Sequence, residues 1–272
     1  MTRAAEDIVR QATAAFNAGH RDQARRLCEQ GLARAPGDAM LNHLLAAVLF
    51  SAGELQVAHR HIETSLANRP DSAPALLLAA RIARALGDFD AALTHLDRVL
   101  VLAPQRETLF EKARTLEAAG LKPQAREAWR AILKAMPQDP EAAARLGRLA
   151  SEDGDHRTAR SLLERATTGG APASAWFDLG VVCQELRDHA AAAEAYRKAL
   201  DIKPDYAEAA LNLGIALQDC GDPDRAMQAY TKAYRLRPEM FGRIAMALTT
   251  ASHGRLWLDE EALRRALESL SG

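Results

Sequence analysis

Three arginines, Arg81, Arg114 and Arg148, recur at intervals of 33 and 34 residues along a chain of 272, and Arg84 and Arg145 stand beside them. A guanidinium is a planar, permanently charged fork that grips a carboxylate or phosphate through two parallel hydrogen bonds. Presented together on a rigid scaffold, the five would form a basic track. Such a track selects an acidic segment, a peptide C-terminus or a phosphorylated tail. A plainer account uses the same residues: Glu107, Glu111, Glu117 and Glu141 are close enough in sequence to neutralise the track within the chain.

Catalytic chemistry has little to work with. His59 and His61 are two apart, which on a helix points them to different faces, so they are not a metal pair. There is no HExxH and no CxxC. Gly169-Gly170 follows a helical stretch, not a strand, and reads as a loop rather than a phosphate cradle. Ser252-His253 are adjacent loop residues with no third group to orient them, unlike a nucleophile and its base. No catalytic residue, metal site or cofactor is expected. Cys28, Cys183 and Cys220 are odd in number and far apart, which fits a reducing cytoplasm, and Cys183 and Cys220 are expected as buried structural thiols.

The composition sets the class. Hydrophobic residues are 48% and charged residues 26%, a folded chain, while aromatics are only 5% and alanine abounds, which suits closely packed helices. The net charge of −1 gives no whole-chain attraction to nucleic acid, and no nucleic-acid partner is expected. Charges at Arg3, Glu6, Asp7 and Arg10 stand where a secretory leader would be apolar, and no long apolar run suits membrane insertion.

The elements that hold the arginines are marked by proline. Prolines stand at 36, 70, 104, 137, 172, 204 and 238, spaced 34, 34, 33, 35, 32 and 34 residues apart. Between them the chain reads as pairs of helices. Each pair turns near Gly19, Gly53, Gly87, Gly120, Gly154 or Gly221, and Arg187-Asp188 fills that place in the sixth pair. Each second helix carries a small residue (Ala24, Ala58, Ala92, Ala125, Ala159, Ala192, Ala226) and, one turn on, a larger one (Cys28, Ile62, Leu96, Trp129, Leu163, Tyr196, Tyr230). The first admits the neighbouring helix and the second fills the gap.

Residues 173–240 are the most regular. One block has Trp176, Leu179-Gly180, Ala192, Tyr196, Ala199 and Pro204; the next has Leu213-Gly214, Ala226, Tyr230, Ala233 and Pro238 at the same offsets. This pattern resembles the tetratricopeptide repeat, whose period is 34 residues. The resemblance extends over about residues 5–240 as seven repeats beginning near 5, 39, 73, 106, 140, 173 and 207. It implies an all-α fold, an α-solenoid wound as a right-handed superhelix, with 1–240 as the array and 241–272 as an atypical C-terminal cap. In the cap, Asp259 would open the last helix, Leu258 and Leu263 would staple it, and Trp257 would cover the end of the stack.

The resemblance also implies a binding groove lined by first helices. There repeat position 9 is Thr13, Ala47, Arg81, Arg114, Arg148, Val181 and Ile215, with Arg84 at position 12 and Arg145 at position 6. Phe110 and Phe177 at position 5 are candidate anchors. The N-terminal groove is more apolar, with Met40, His43 and Leu44, and the C-terminal groove is acidic, with Asp178, Glu185, Glu208 and Asp219. No three consecutive repeats supply the lysines and asparagines of the carboxylate clamp known in chaperone-binding members. Only Asn212 matches the asparagine ladder of glycosyltransferase members. The expected function is a non-catalytic scaffold that binds a peptide or partner protein. The alternatives are an accessory subunit presenting substrate to a glycosyl- or sulfotransferase, and a scaffold that self-assembles into homo-oligomers.

Overall fold

In the computed structural model, which describes residues 3–168, 170–250 and 260–269, helices follow one another with short turns between them. Two compact units divide the chain, Met1–Ala128 and Trp129–Gly272. Unit one holds α1 (Arg3–Asn17), α2 (Arg21–Arg34), α3 (Ala39–Ser51), α4 (Leu55–Asn68), α5 (Ala73–Leu86), α6 (Phe89–Leu102) and α7 (Arg106–Ala118). Helix α8 (Lys122–Ala135) runs across the boundary. Unit two holds α9 (Pro140–Glu152), α10 (His156–Thr167), α11 (Ala173–Glu185), α12 (His189–Ile202), α13 (Ala207–Asp219), α14 (Pro223–Leu236), α15 (Phe241–Thr250) and α16 (Glu260–Ser269). No strand occurs among the described residues.

Local chemistry explains where the helices stop. Ala35, Arg69, Ala103, Lys203 and Arg237 each precede a proline, and each leaves the helical region with ψ between 76° and 88°. The proline ring crowds the preceding residue out of the helical conformation and forces this exit. Helices restart on acidic caps. The Asp38 carboxylate accepts from the Met40 and Leu41 amides at 3.0 Å, and Asp88, Asp139, Asp155, Asp188 and Asp222 cap α6, α9, α10, α12 and α14 in the same way. Such a cap satisfies amides that have no helical partner and contributes about 1 kcal/mol. Inside each pair the turn takes a left-handed residue. Six of them are glycines with φ between 72° and 83°, and Arg187 does the same work at φ 60°.

The core lies where the two helices of a pair cross. The second-helix alanines and the larger residues one turn on are buried without exception. At the crossing in unit two, a Cβ added to Gly180 would stand 2.5 Å from the Tyr196 ring, and one on Gly214 would meet Tyr230 as closely; Gly147 faces Leu163 at 2.7 Å. The glycine of the Leu-Gly pair therefore makes room for the bulk of its own repeat. Tyr196 donates its hydroxyl to Gln184 at 2.9 Å and Tyr230 to Gln218 at 2.7 Å, so neither buried phenol is left unbonded. At the C-terminal end α16 packs on α14 through Leu263 and Leu267, both buried. Trp257, Leu258 and Asp259 lie outside the described residues, as do Ser252-His253 and Gly169.

Cys28 and Cys183 are buried, but Cys220 is exposed. Cys220 is the C-cap of α13, one step past the buried face of that helix, so the expectation of a buried thiol fails there.

Candidate interaction surfaces

In unit one the first helices α1, α3, α5 and α7 lie side by side, each touching the next but one in sequence. Arg81 and Arg84 sit one turn apart on α5, and Glu111 and Arg114 one turn apart on α7. All three arginines turn toward Glu111. Arg81 donates from Nε to Oε1 at 3.1 Å, Arg84 places Nη2 3.0 Å from Oε2, and Arg114 places Nη1 3.5 Å from Oε1. Arg81 also pairs with Glu107. The Glu111 side chain is only 6% exposed, whereas those of Arg81, Arg84 and Arg114 are 32%, 29% and 34% exposed. A buried carboxylate thus anchors a half-open cluster of guanidinium groups. Its Oε2 is buried and lacks an aligned hydrogen bond even with Arg84 at 3.0 Å.

Phe110 is buried beside this cluster, with the Arg106 guanidinium 5.0 Å and that of Arg114 5.9 Å from its ring centre. Little of the ring is left for a partner, and its visible role is to support cations. Met40, at the start of α3, leaves 42% of its surface open, the largest apolar exposure among the expected groove residues of this unit.

In unit two, Arg148 reaches from α9 to Asp178 on α11, with Nη2 and Nε at 2.7 and 3.1 Å from the same oxygen. Arg145 lies 3.9 Å from Glu141, one turn earlier on the same helix. Phe177 is half-buried, stacked on Tyr206 with ring centres 5.0 Å apart and tilted against Tyr196 at 5.6 Å. Asn212 donates to the Tyr196 hydroxyl at 3.4 Å, which ties it to the neighbouring repeat. Glu208 pairs with Arg237, so part of the acidic face is balanced within the chain, and Asp219 stands 3.3 Å from the His189 ring.

The five arginines are distributed over the two units, Arg81, Arg84 and Arg114 in the first and Arg145 and Arg148 in the second. One regularity in them escaped the sequence reading. Arg81 to Glu111 and Arg148 to Asp178 are both separations of 30 residues, position 9 of one repeat to position 6 of the next. An acid thirty places beyond an arginine is the signal that would have found both pairs. Tyr206 and Lys203, which lies 5.0 Å over its ring, are further members of the unit-two face that the sequence did not single out.

Burial pushes the Cys28 thiol up to about 12 and raises those of Cys183 and Cys220, away from the nucleophilic thiolate. Among the described residues no group of three or more His, Cys, Asp or Glu could hold a metal, and no helix is long and apolar enough to cross a membrane.

Family models described as tetratricopeptide repeat match this chain, one over residues 9–58, 110–172 and 144–207 and a second over 49–116 and 185–248. The chain belongs to the tetratricopeptide repeat family. No curated protein matches it. Among solved structures, the MamA protein is 28% identical, covering 62% of this chain and 93% of that one, with a TM-score of 0.54. A chain of the APC/C hetero-tetramer Cut9-Hcn1 is 17% identical over 94% of this chain and 48% of that one, with a TM-score of 0.63. YrrB, described as a tetratricopeptide protein with an unusual peptide-binding site, is 20% identical over 67% and 95%, with a TM-score of 0.51. The last two show the fold alone. As a repeat array of this family the chain is built as a scaffold for protein–protein interaction, and the family is in general not catalytic.

Proposed function

We propose that the first-helix face of unit one receives an acidic segment of a protein partner, at the arginine cluster around Glu111. The observation that carries this reading is the convergence of Arg81, Arg84 and Arg114 on one buried carboxylate while about a third of each arginine side chain stays open. A guanidinium has five N–H donors; Arg81 directs two nitrogens to Glu107 and Glu111, and Arg84 one to Glu111. The anchor fixes the forks in place before a ligand arrives, so less side-chain entropy is lost on binding. The exposed thioether of Met40 on the same layer of first helices adds an adaptable apolar contact.

The ion pairs themselves favour a second reading, in which the cluster only cements α5 to α7. The two readings separate under one variant. Stripping the arginines alone would strand Glu111 and cost on the order of 3–5 kcal/mol. Replacing the buried carboxylate and the two arginines of α5 together by apolar residues of similar volume, Arg81→Met, Arg84→Met and Glu111→Leu, with the one-third-exposed Arg114 kept in place, is expected to leave stability nearly unchanged. Wild type and this triple variant are immobilised, exposed to extract of the native cell, and competed with a poly-glutamate peptide. A partner retained by wild type, released by the peptide and absent from the folded triple variant is the expected result. Equal retention by both proteins would leave the cluster with its structural role alone.

A further inference from the structure

A cleft of unit two lies away from the first-helix face. It is an open cleft of about 590 Å³ between the second helices α12 and α14, with α13 behind them. Leu213 and Leu217 of α13 contribute to its floor, with Leu200 of α12. Successive residues of a helix turn by 100°, so these two leucines face away from Asn212 and Ile215, which belong to the first-helix face. Arg197 stands on the α12 side and Arg225 and Lys232 on the α14 side, against one acid, Asp201.

We infer that this cleft docks an acidic amphipathic segment of a protein partner, seating an aliphatic side chain on the leucine floor between carboxylates that meet Arg197, Arg225 and Lys232. The floor and rim are matched in scale to that occupant. A volume of this size accepts a few side chains, and an apolar base with a small number of placed charges is the usual pattern of a specific site. The cations are available. Lys232 has no ion-pair partner among the described residues. Arg197 and Arg225 are 46% and 69% exposed and pair only with Glu194 and Asp222 one turn away on their own chain segments, Arg225 at 3.6 Å. Exposed pairs of this kind contribute about 0–1 kcal/mol, so an incoming carboxylate can exchange with them at little cost. This site does not depend on the arginine cluster of unit one.

The test uses the full chain and a short fluorescein-labelled peptide with two leucines one helical turn apart, flanked by glutamates, read by fluorescence anisotropy. Wild type is expected to bind it, and more weakly at high salt. Arg225→Glu with Lys232→Glu, both exposed and expected to fold, should weaken binding at least about tenfold. A version of the peptide with serines for leucines, and one with glutamines for glutamates, should each lose as much. The Arg81→Met, Arg84→Met, Glu111→Leu protein should bind like wild type. The inference is overturned by no binding up to about 1 mM, by equal binding to the charge-reversed variant, or by loss in the unit-one variant instead. It is also overturned if decanoate binds at the cleft and the peptide does not, which would make the cleft a seat for a small anionic amphiphile.

Discussion

Arg187 holds a backbone conformation that six other turns of the chain give to glycine. A side chain in the left-handed region brings its Cβ against the carbonyl and costs roughly 1–2 kcal/mol. The Arg187 side chain is exposed and has no ion-pair partner among the described residues, so nothing visible offsets that strain. Arg187→Gly is therefore expected to raise stability by about 0.5–1 kcal/mol, the relief of strain being reduced by the greater freedom glycine has when unfolded. A higher urea midpoint with an unchanged slope is the expected signature. A lower midpoint would mean that the arginine makes a contribution its exposure does not suggest.

At the scale of the helix pair, glycine and tyrosine act as one fitting. Gly214→Ala puts a methyl group into the Tyr230 ring, and overpacking of this kind costs about 1–3 kcal/mol. The same change in a Tyr230→Leu background should cost clearly less, since the leucine leaves space. Equal costs in the two backgrounds would show that the clash is relieved elsewhere. The same physics explains what is legible in the sequence alone. Proline exits, left-handed turns and small-against-large pairs each follow from a steric demand on a residue and its near neighbours, so the sequence records them and the fold class follows. The Arg81–Glu111 and Arg148–Asp178 pairs depend on two helices brought together across 30 residues and on the rotamers of long side chains, which composition and spacing leave open. The burial of Phe110 and the exposure of Cys220 belong to the same class, because each turns on where a helix ends or leans.

On the whole molecule, acid should act on one unit first. Burial lowers the pKa of His43, His61 and His95 below the ordinary 6.5, and all three lie in unit one. A group that is harder to protonate when folded lets the unfolded chain bind more protons once the pH falls below its unfolded value. Their contribution is thus fully present above about pH 6.5 and is lost as the pH falls toward the lowered folded values. In unit two the shifted carboxylates act far lower: the Asp188 carboxylate accepts from the Ala191 amide and from Arg160, which holds it below 3.8, so its stabilisation persists until much stronger acid. Hydrogen exchange, corrected for intrinsic rates, should show protection falling in α3–α6 and not in α11–α13 between about pH 7.5 and about pH 5.5. A parallel loss in both units would rule out the buried histidines as the cause. The glycine–tyrosine fitting has a further consequence at this scale. Gly214 and Tyr230 belong to different helices of a single repeat, as do Gly180 and Tyr196. The dependence closes inside the repeat, so a gene duplication that copies 207–240 whole carries lock and key together. One that copies a single helix separates them. The array can therefore lengthen or shorten by whole repeats more readily than by any other step, and the repeat is its unit of inheritance as well as of packing.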